Sequence, residues 1–550
     1  MPALRRVRLR RTALVAAALV VVFLLAACSG AAPRPTPGEI ADGTPGATAT
    51  PTAQTTVVPS GAPAPPPPAD PGAPAPSPPP TALPTSPPDQ PASVVLVLTD
   101  DLSSDLLPYL PHVATMARAG VTFSHHIVPD SLCCPSRASL LRGQFPHTTG
   151  VFTNVGYDGG FGLVHRSGLE RSTIATDLQL AGYRTALLGK YLNKYDPQGS
   201  YGSGPAYVPP GWDTWSVGGD AYPEFDYDLA SHRGVTHHGN RPEDYLTDVL
   251  ATQGERFVRQ AAAAGTPFFL EVATYAPHSP FVPAPRDAAL FGGLQAPRTP
   301  AFGAAPDAAA PRWLRGRAPR TAAQIAQLDA DFRHRAQSVQ AIDALLARLQ
   351  QTLVETGRAA NTYVIFTSDN GFHLGQHRLM GGKTTAFDTD VRVPLVVTGP
   401  GVPAGRVEDR LTSGVDLRPT LDEVAGLIPG AGVDGHTLLP LWHGVDPGPW
   451  RDAALVEHHG PVSTPGDPDL PPPGSGNPTT YEAIRTQTET WVEYADGEVE
   501  HYDDIADPDQ IHADQDALTP AHRAALHATL QALSTCHGSA ACWAAAAVTG

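Results

Sequence analysis

What this sequence has little of narrows it quickly. Five cysteines occur in 550 residues. They are Cys28, Cys133, Cys134, Cys536 and Cys542, in three unrelated contexts, so the chain is not built on a disulfide framework. Positive charge is scarce: 37 Lys and Arg face 54 Asp and Glu, a formal net charge of −17. Arg5, Arg6, Arg8, Arg10 and Arg11 crowd the first 27 residues, which hold no acid, so the remainder is more acidic still. Such a chain lacks the electrostatic footprint of a nucleic-acid binder. An anionic ligand would have to be held by a local cluster of cations rather than by the overall field. No apolar run is long enough for a comfortable membrane span, there are no internal repeats, and residues 29–91 contain no aromatic side chain.

What is present falls into segments. Residues 1–27 place arginines before an uncharged apolar run, Thr12 to Ala27, which reads as an export signal. Leu25-Ala26-Ala27-Cys28 resembles a bacterial lipobox, which implies cleavage before Cys28 and a diacylglycerol group on its thiol. Buried acyl methylenes contribute roughly 0.8 kcal/mol each, enough with two or three chains to hold a protein on a membrane. The expected location is the outer face of a bacterial cell membrane. Residues 28–92 are Pro-, Ala- and Thr-rich, with about a third proline. They cannot bury enough apolar area to offset their ordering entropy. At roughly 3.1 Å per residue they form a polyproline-like tether able to reach well over 100 Å.

The folded part is expected from Ser93. Val94 to Leu98 is a continuous apolar run, as in a strand buried on both faces. Further strands are expected at Thr185–Leu188, Phe268–Thr274, Tyr363–Thr367 and Val391–Thr398. Helices are expected over 108–119, 173–182, 244–263 and 325–356. The alternation predicts an α/β fold, a mainly parallel sheet with helices on both faces, spanning 93–450. Residues 451–550 predict a smaller subdomain: a Pro/Gly-rich loop from Val462 to Thr480, three short antiparallel strands between Tyr481 and Tyr502, and a helix over 519–533. Ligands gather at the carboxyl ends of strands in such sheets. Asp100-Asp101, Lys190, His278 and Asp369-Asn370 all follow predicted strands.

The most constrained stretch is Cys133-Cys134-Pro135-Ser136-Arg137, followed by Ala-Ser-Leu-Leu-Arg-Gly. Pro135 suits the first turn of a helix, with Ser136 and Arg137 in that turn and Cys133 just before it. A group there faces free N–H donors and the positive end of the helix dipole. Buried cysteines in a capping loop are the plain alternative. The motif resembles the signature of the type I sulfatases of the alkaline phosphatase-like superfamily, and the doubled cysteine resembles their N-acetylglucosamine-6-sulfatase branch. The resemblance implies that Cys133 is oxidised to Cα-formylglycine by a transiently bound formylglycine-generating enzyme. It implies a hydrated aldehyde, one hydroxyl of which attacks sulfur while the other later expels sulfate. It also implies one divalent cation, usually calcium, held by Asp100, Asp101, Cys133, Asp369 and Asn370. Oxygen donors suit such ions, and an asparagine at 370 in place of histidine argues against zinc.

By the same resemblance Arg137 steadies the formylglycine, Lys190 and Lys383 bind sulfate, and His278 protonates the leaving oxygen. The sequence departs from many relatives at Leu192-Asn193, where a histidine is usual two residues after the first lysine. His126, His147 and His373 lie near motifs without an assignable role and read as surface or supporting residues. Cys536 and Cys542, six apart, are expected to form a local disulfide in an exported protein. The expected activity is hydrolysis of a sulfate monoester on a small molecule or sugar. The rivals are a phosphate or phosphonate monoester hydrolase of the same fold, and a catalytically inactive lipoprotein that binds polysaccharide. Loops 196–240 and 284–320 are where specificity is expected.

Overall fold

A computed structural model describes residues 91–199 and 206–548, all within the unit Thr81–Gly550. Residues 1–90, where the export signal, the lipid-bearing Cys28 and the tether are expected, lie outside the described residues. The Ser93–Thr99 strand is central and wholly buried. Its alternate side chains feed two cores. Val95 and Val97 pack with Leu250, Phe257, Leu345 and Leu349 on one side of the sheet. Val94, Leu96 and Leu98 pack with Leu140, Ile174, Leu178 and Leu421 on the other. Each fully buried Val or Leu contributes about 1.5–3 kcal/mol. This is why a strand in the middle of a two-sided sheet needs an unbroken apolar run.

The sheet has ten strands. In spatial order they are Arg406–Glu408, Val121–Phe123, Leu395–Thr398, Thr362–Ser368, Ser93–Thr99, Phe268–Ala273, Arg184–Lys190, Thr214–Gly218, Tyr227–Ser231 and Gly234–His238. The centre is parallel, with Val95 paired to both Leu270 and Val364. Helices Leu246–Ala264 and Ala322–Glu355 cover one face, the second opened by a capping box between Thr321 and Gln324. Gly120, after the Pro111–Ala119 helix, admits no side chain: a Cβ there would come 2.0 Å from the Val397 carbonyl oxygen.

Three expectations are corrected. The strand expected over 391–398 begins only at Leu395, because Pro394 cannot donate to the ladder; Asp388–Val391 is a helical turn. The region 196–240 is not all loop, since three strands from Thr214 to His238 extend the sheet edge, the last two as an antiparallel hairpin. The cysteine-bearing helix spans Cys133–Arg142, so Cys133 is its first residue rather than the one before it. Gly143 closes that helix at φ 62°, the left-handed position glycine adopts without strain.

A second, four-stranded antiparallel sheet runs Ala454–His458, Tyr481–Arg485, Glu489–Tyr494, Val499–Asp503. Its alternation is two-sided as well. Val456, Ala483 and Val492 pack with Ile127 and Val128, at a short strand paired with Thr412–Ser413, and with Val391 at the end of the helical turn Asp388–Val391. Leu455, Ile484 and Trp491 pack under Leu526, Leu530 and Leu533 of the Pro520–Leu533 helix. The first two strands are joined by the long connection 459–480. Cys536 and Cys542 are bonded to each other and tie that helix to a further one, Ser539–Ala545.

Candidate active site

The site forms where four parallel strands end. Asp100 and Asp101 follow Thr99, and Lys190 is the last residue of its strand. His278 comes shortly after the Phe268–Ala273 strand, and Asp369 and Asn370 follow Ser368. Asp101 takes a left-handed backbone at φ 63°, a conformation seldom adopted by a non-glycine residue. The helix Cys133–Arg142 brings its first and fifth residues, Cys133 and Arg137, to the same place. Ser136 Oγ donates to the Asp369 carbonyl at 2.5 Å, pinning helix to strand end.

The distances are short. Cys133 Sγ donates to Asp100 Oδ1 at 3.2 Å and accepts from Lys383 Nζ at 2.9 Å. Lys383 Nζ also donates to Asp101 Oδ1 at 2.6 Å. Lys190 Nζ pairs with Asp100 Oδ2, and sits 5.0 Å from the centre of the Tyr222 ring. Arg137 Nε donates to Asp369 Oδ2 at 2.8 Å, and Nη1 to the Lys190 carbonyl at 3.3 Å. Asp369 Oδ1 accepts from the backbone N–H of Asp101 and of Asn370, at 3.1 and 2.8 Å. His278 Nε2 lies 3.7 Å from Asp101 Oδ2. The structure therefore gathers Asp100, Asp101, Cys133, Arg137, Lys190, His278, Asp369, Asn370 and Lys383 in one buried cluster.

Burial strengthens every charge interaction in this cluster. Burial by itself would raise Asp369, but Arg137, with Lys190 and Lys383, overrides it and brings the carboxyl down to about 2. Burial likewise opposes the charge on Lys190 and Lys383; the carboxylates of Asp100 and Asp101 outweigh it and lift both lysines well above their usual value. His278 is raised because Asp101 and Asp469 overcome its desolvation. Burial, reinforced by Asp100 and Asp469, pushes the Cys133 thiol well above its ordinary value. As a cysteine, position 133 stays protonated and is a poor nucleophile.

The donor set fits a hard divalent cation. Ligand atoms of Asp100, Asp101, Cys133 and His278 all lie within 4.8 Å of one another. Asn370 donates its amide Nδ2 to Asp101 Oδ1 at 2.7 Å, which turns its Oδ1 away. That oxygen is buried without a partner, an acceptor aimed at nothing in the protein. The carboxylates of Asp100 and Asp101 and the unpartnered Asn370 oxygen are the chemistry of calcium or magnesium; the Cys133 thiol and the His278 imidazole in the same cluster are softer donors, and His278 Nε2 is already taken by Asp469 at 2.7 Å.

Two residues at the site escaped the sequence reading. Asp469, from the connection 459–480, places Oδ1 2.7 Å from both His278 Nε2 and Lys383 Nζ. Asn154 donates Nδ2 to Asp469 Oδ2 at 2.5 Å, and its Oδ1 accepts from the Cys134 N–H at 2.9 Å. Neither carries a motif; Asp469 lies among prolines in a segment whose composition says only "loop". Leu192 is core, and Asn193 donates to the Tyr222 hydroxyl at 3.3 Å. His126 and His373 are buried, which fits the supporting rather than the surface alternative. His126 meets Thr412 Oγ1 at 2.9 Å, and His373 meets Asp390 at 2.9 Å. His147 is half-buried against Glu457 at 2.9 Å.

The Sulfatase family profile matches residues 92–427. The chain is 34% identical to N-acetylglucosamine-6-sulfatase of Homo sapiens over 81% of this chain and 85% of that protein. It is 29% identical to an arylsulfatase of Chlamydomonas reinhardtii over 81% of this chain and 74% of that protein. A solved protein bound to its substrate D-glucosamine-2-N,6-O-disulfate superposes with a TM-score of 0.66 at 21% identity, covering 80% of this chain and 97% of the other. The phosphonate monoester hydrolase of Agrobacterium radiobacter shares the fold with a TM-score of 0.61 at 24% identity, over 80% and 96% of the two chains.

Proposed function

This chain belongs to the sulfatase family and is a sulfuric ester hydrolase; on that premise we propose that it removes a 6-O-sulfate from a glucosamine-type sugar, using a formylglycine at position 133 and a calcium ion. The observation that carries the reading is the convergence on Cys133 Sγ of Asp100 at 3.2 Å and Lys383 at 2.9 Å, in a buried cluster that also holds the unpartnered Asn370 oxygen. The sugar and the position of its sulfate are taken from the names of the relatives.

Asp100, Asp101, Asp369 and Asn370, with residue 133, would hold the cation, which would supply Lewis-acid stabilisation of developing negative charge. The remaining work belongs to the protein. Lys190 and Lys383, kept charged by Asp100 and Asp101, face the place where negative charge grows on the sulfuryl oxygens. His278 Nδ1 lies 2.7 Å from the Ser279 carbonyl, which can only accept, so Nδ1 carries a proton. Nε2 lies 2.7 Å from the Asp469 carboxylate and so carries a second proton, the one available to the departing sugar oxygen. Arg137 positions Asp369 and the Lys190 carbonyl and keeps this side of the site rigid. Export on a lipid-bearing Cys28, with residues 28–92 as tether, is part of the same proposal and rests on the signal, the lipobox and the proline content.

Mass spectrometry of the Cys133 peptide, paired with turnover of 6-sulfated N-acetylglucosamine, an aryl sulfate and an aryl phosphate with and without calcium, tests it. Formylglycine with preferred release of sulfate from the sugar is expected. An intact thiol in active protein removes the mechanism, and preferred cleavage of phosphate moves the chain toward its phosphonate-hydrolysing neighbours.

A further inference from the structure

Asp469 stands where a substrate anion belongs. Its Oδ1 is shared by His278 Nε2 and Lys383 Nζ, each at 2.7 Å, and its Oδ2 lies 3.5 Å from Cys133 Sγ. His278 already uses Nδ1 toward the Ser279 carbonyl, so its contact with Asp469 is that of an imidazolium donating to an anion. One negative charge, one oxygen between a lysine and an imidazolium, and another facing position 133 reproduce what a sulfate monoester would present there.

The carboxylate is delivered by a built device. Asn154 Nδ2 bridges Asp467 Oδ1 at 3.2 Å and Asp469 Oδ2 at 2.5 Å. The Asp469 N–H donates back to Asp467 Oδ1 at 3.0 Å, closing a tight turn around Pro468. Beyond Leu470 the chain is stiffened by Pro471, Pro472 and Pro473. Arg317 then donates to the carbonyls of Gly474 and Ser475 at 3.1 and 3.2 Å. A cavity of about 500 Å³ opens beside this strap, between Asp101, His278, Phe281, Lys383, Asp469 and Leu470. It has the size of a small-ligand site, and the anionic end of anything seated there would run into Asp469.

We infer that Asp469 is a tethered competitor for the sulfate subsite: the strap 459–480 must withdraw its carboxylate before a sulfate monoester can occupy the lysine–histidine cradle. This rests on reading Lys383 and His278 as that cradle. A ligand that binds only the withdrawn state has its apparent affinity reduced by the fraction of molecules in that state. The strap therefore sets the threshold for entry. An anion that also engages Lys190 and the cation site can displace Asp469; a neutral ligand offers Lys383 and His278 nothing in exchange and cannot.

The test measures binding of inorganic sulfate to the full chain by calorimetry, and KM for an aryl sulfate, in wild type, Asp469→Ala and Asp469→Asn. Sulfate should bind about tenfold more tightly or better in both variants, and KM should fall with it. Unchanged or weakened sulfate binding in soluble, folded variants overturns the inference and makes Asp469 part of the substrate's own binding site. Hydrogen exchange on unmutated protein supplies a readout that no folding defect can mask. Saturating sulfate should speed exchange at the amides of Asp469, Leu470 and Ser475, which donate to Asp467 Oδ1, the Asp467 carbonyl and the Pro472 carbonyl; unchanged or slowed exchange there overturns the inference. Wild type that cleaves aryl sulfate while the variants bind no tighter defeats the strap alone. Protein that neither binds sulfate nor cleaves aryl sulfate in any form defeats both the strap and the sulfatase reading of this site.

Discussion

The two sheets of this protein solve different problems. The ten-stranded sheet is parallel at its centre and buried on both faces, so its strands read as unbroken apolar runs and its chemistry collects at one edge. The four-stranded antiparallel sheet also has two covered faces, but they are built from alternating residues split between two small cores. Its contribution to the site comes through one connection, 459–480, which places Asp469 against Lys383 and His278. A parallel edge concentrates functional groups because every strand ends at the same side. A hairpin sheet contributes through whichever connection is long enough to reach across.

That contrast predicts a division of labour: substitutions at the parallel edge act on turnover, and substitutions around the small sheet act on stability. The largest effect should come from Lys383→Ala, which removes the cation shared by Cys133 and Asp101. Loss of about 10³-fold in kcat/KM with little change in unfolding midpoint is expected. A large fall in stability instead would mean that the edge cluster is a structural ion network, and the contrast would dissolve.

Between the two sheets lies His126, next to Ile127 and Val128, which pack against the small sheet. Burial depresses it from 6.5 to about 4. Between those values the unfolded chain binds a proton that the folded chain does not, so its contribution is intact above about 6.5 and is lost as pH falls toward 4. The gap is worth roughly 3 kcal/mol. Urea unfolding from pH 7 to 4 should show a shallower decline in His126→Gln than in wild type; parallel curves would place the pH sensitivity elsewhere.

A smaller effect, wholly on the stability side, is expected for the Cys536–Cys542 bond, which closes a separation of six residues. Replacing both by serine should cost about 2 kcal/mol, read as a lowered unfolding midpoint with kcat/KM retained. Loss of kcat/KM at full stability would show that the terminal helices reach into catalysis after all.

Much of the parallel edge could be read in advance because its signals are local. Val94 to Leu98 announces a two-sided strand; Asp100-Asp101 and Asp369-Asn370 announce strand ends; Cys133 to Gly143 is a motif on a capped helix. The boundaries that slipped did so for backbone reasons, such as Pro394 delaying a strand to Leu395. The strands from Thr214 to His238 were hidden because Gly218-Gly219, Pro223 and Gly234 punctuate them like loops, although Trp215 and Val217 point into the core. The burial of His126 and His373 was also invisible, since their partners Thr412 and Asp390 are distant in sequence or bear no motif.

By itself, then, the sequence singled out residues that gather in one buried cluster, among them Asp100, Cys133, Lys190 and Asp369, and indicated that a parallel sheet would present them. Residue type and strand-end position are set by short-range periodicity. Only the tertiary structure decided that Asp469 and Asn154 complete the cluster. A proline-rich loop has no periodicity to betray its target, and its place is set by how two separate sheets pack, a long-range outcome that no local pattern encodes.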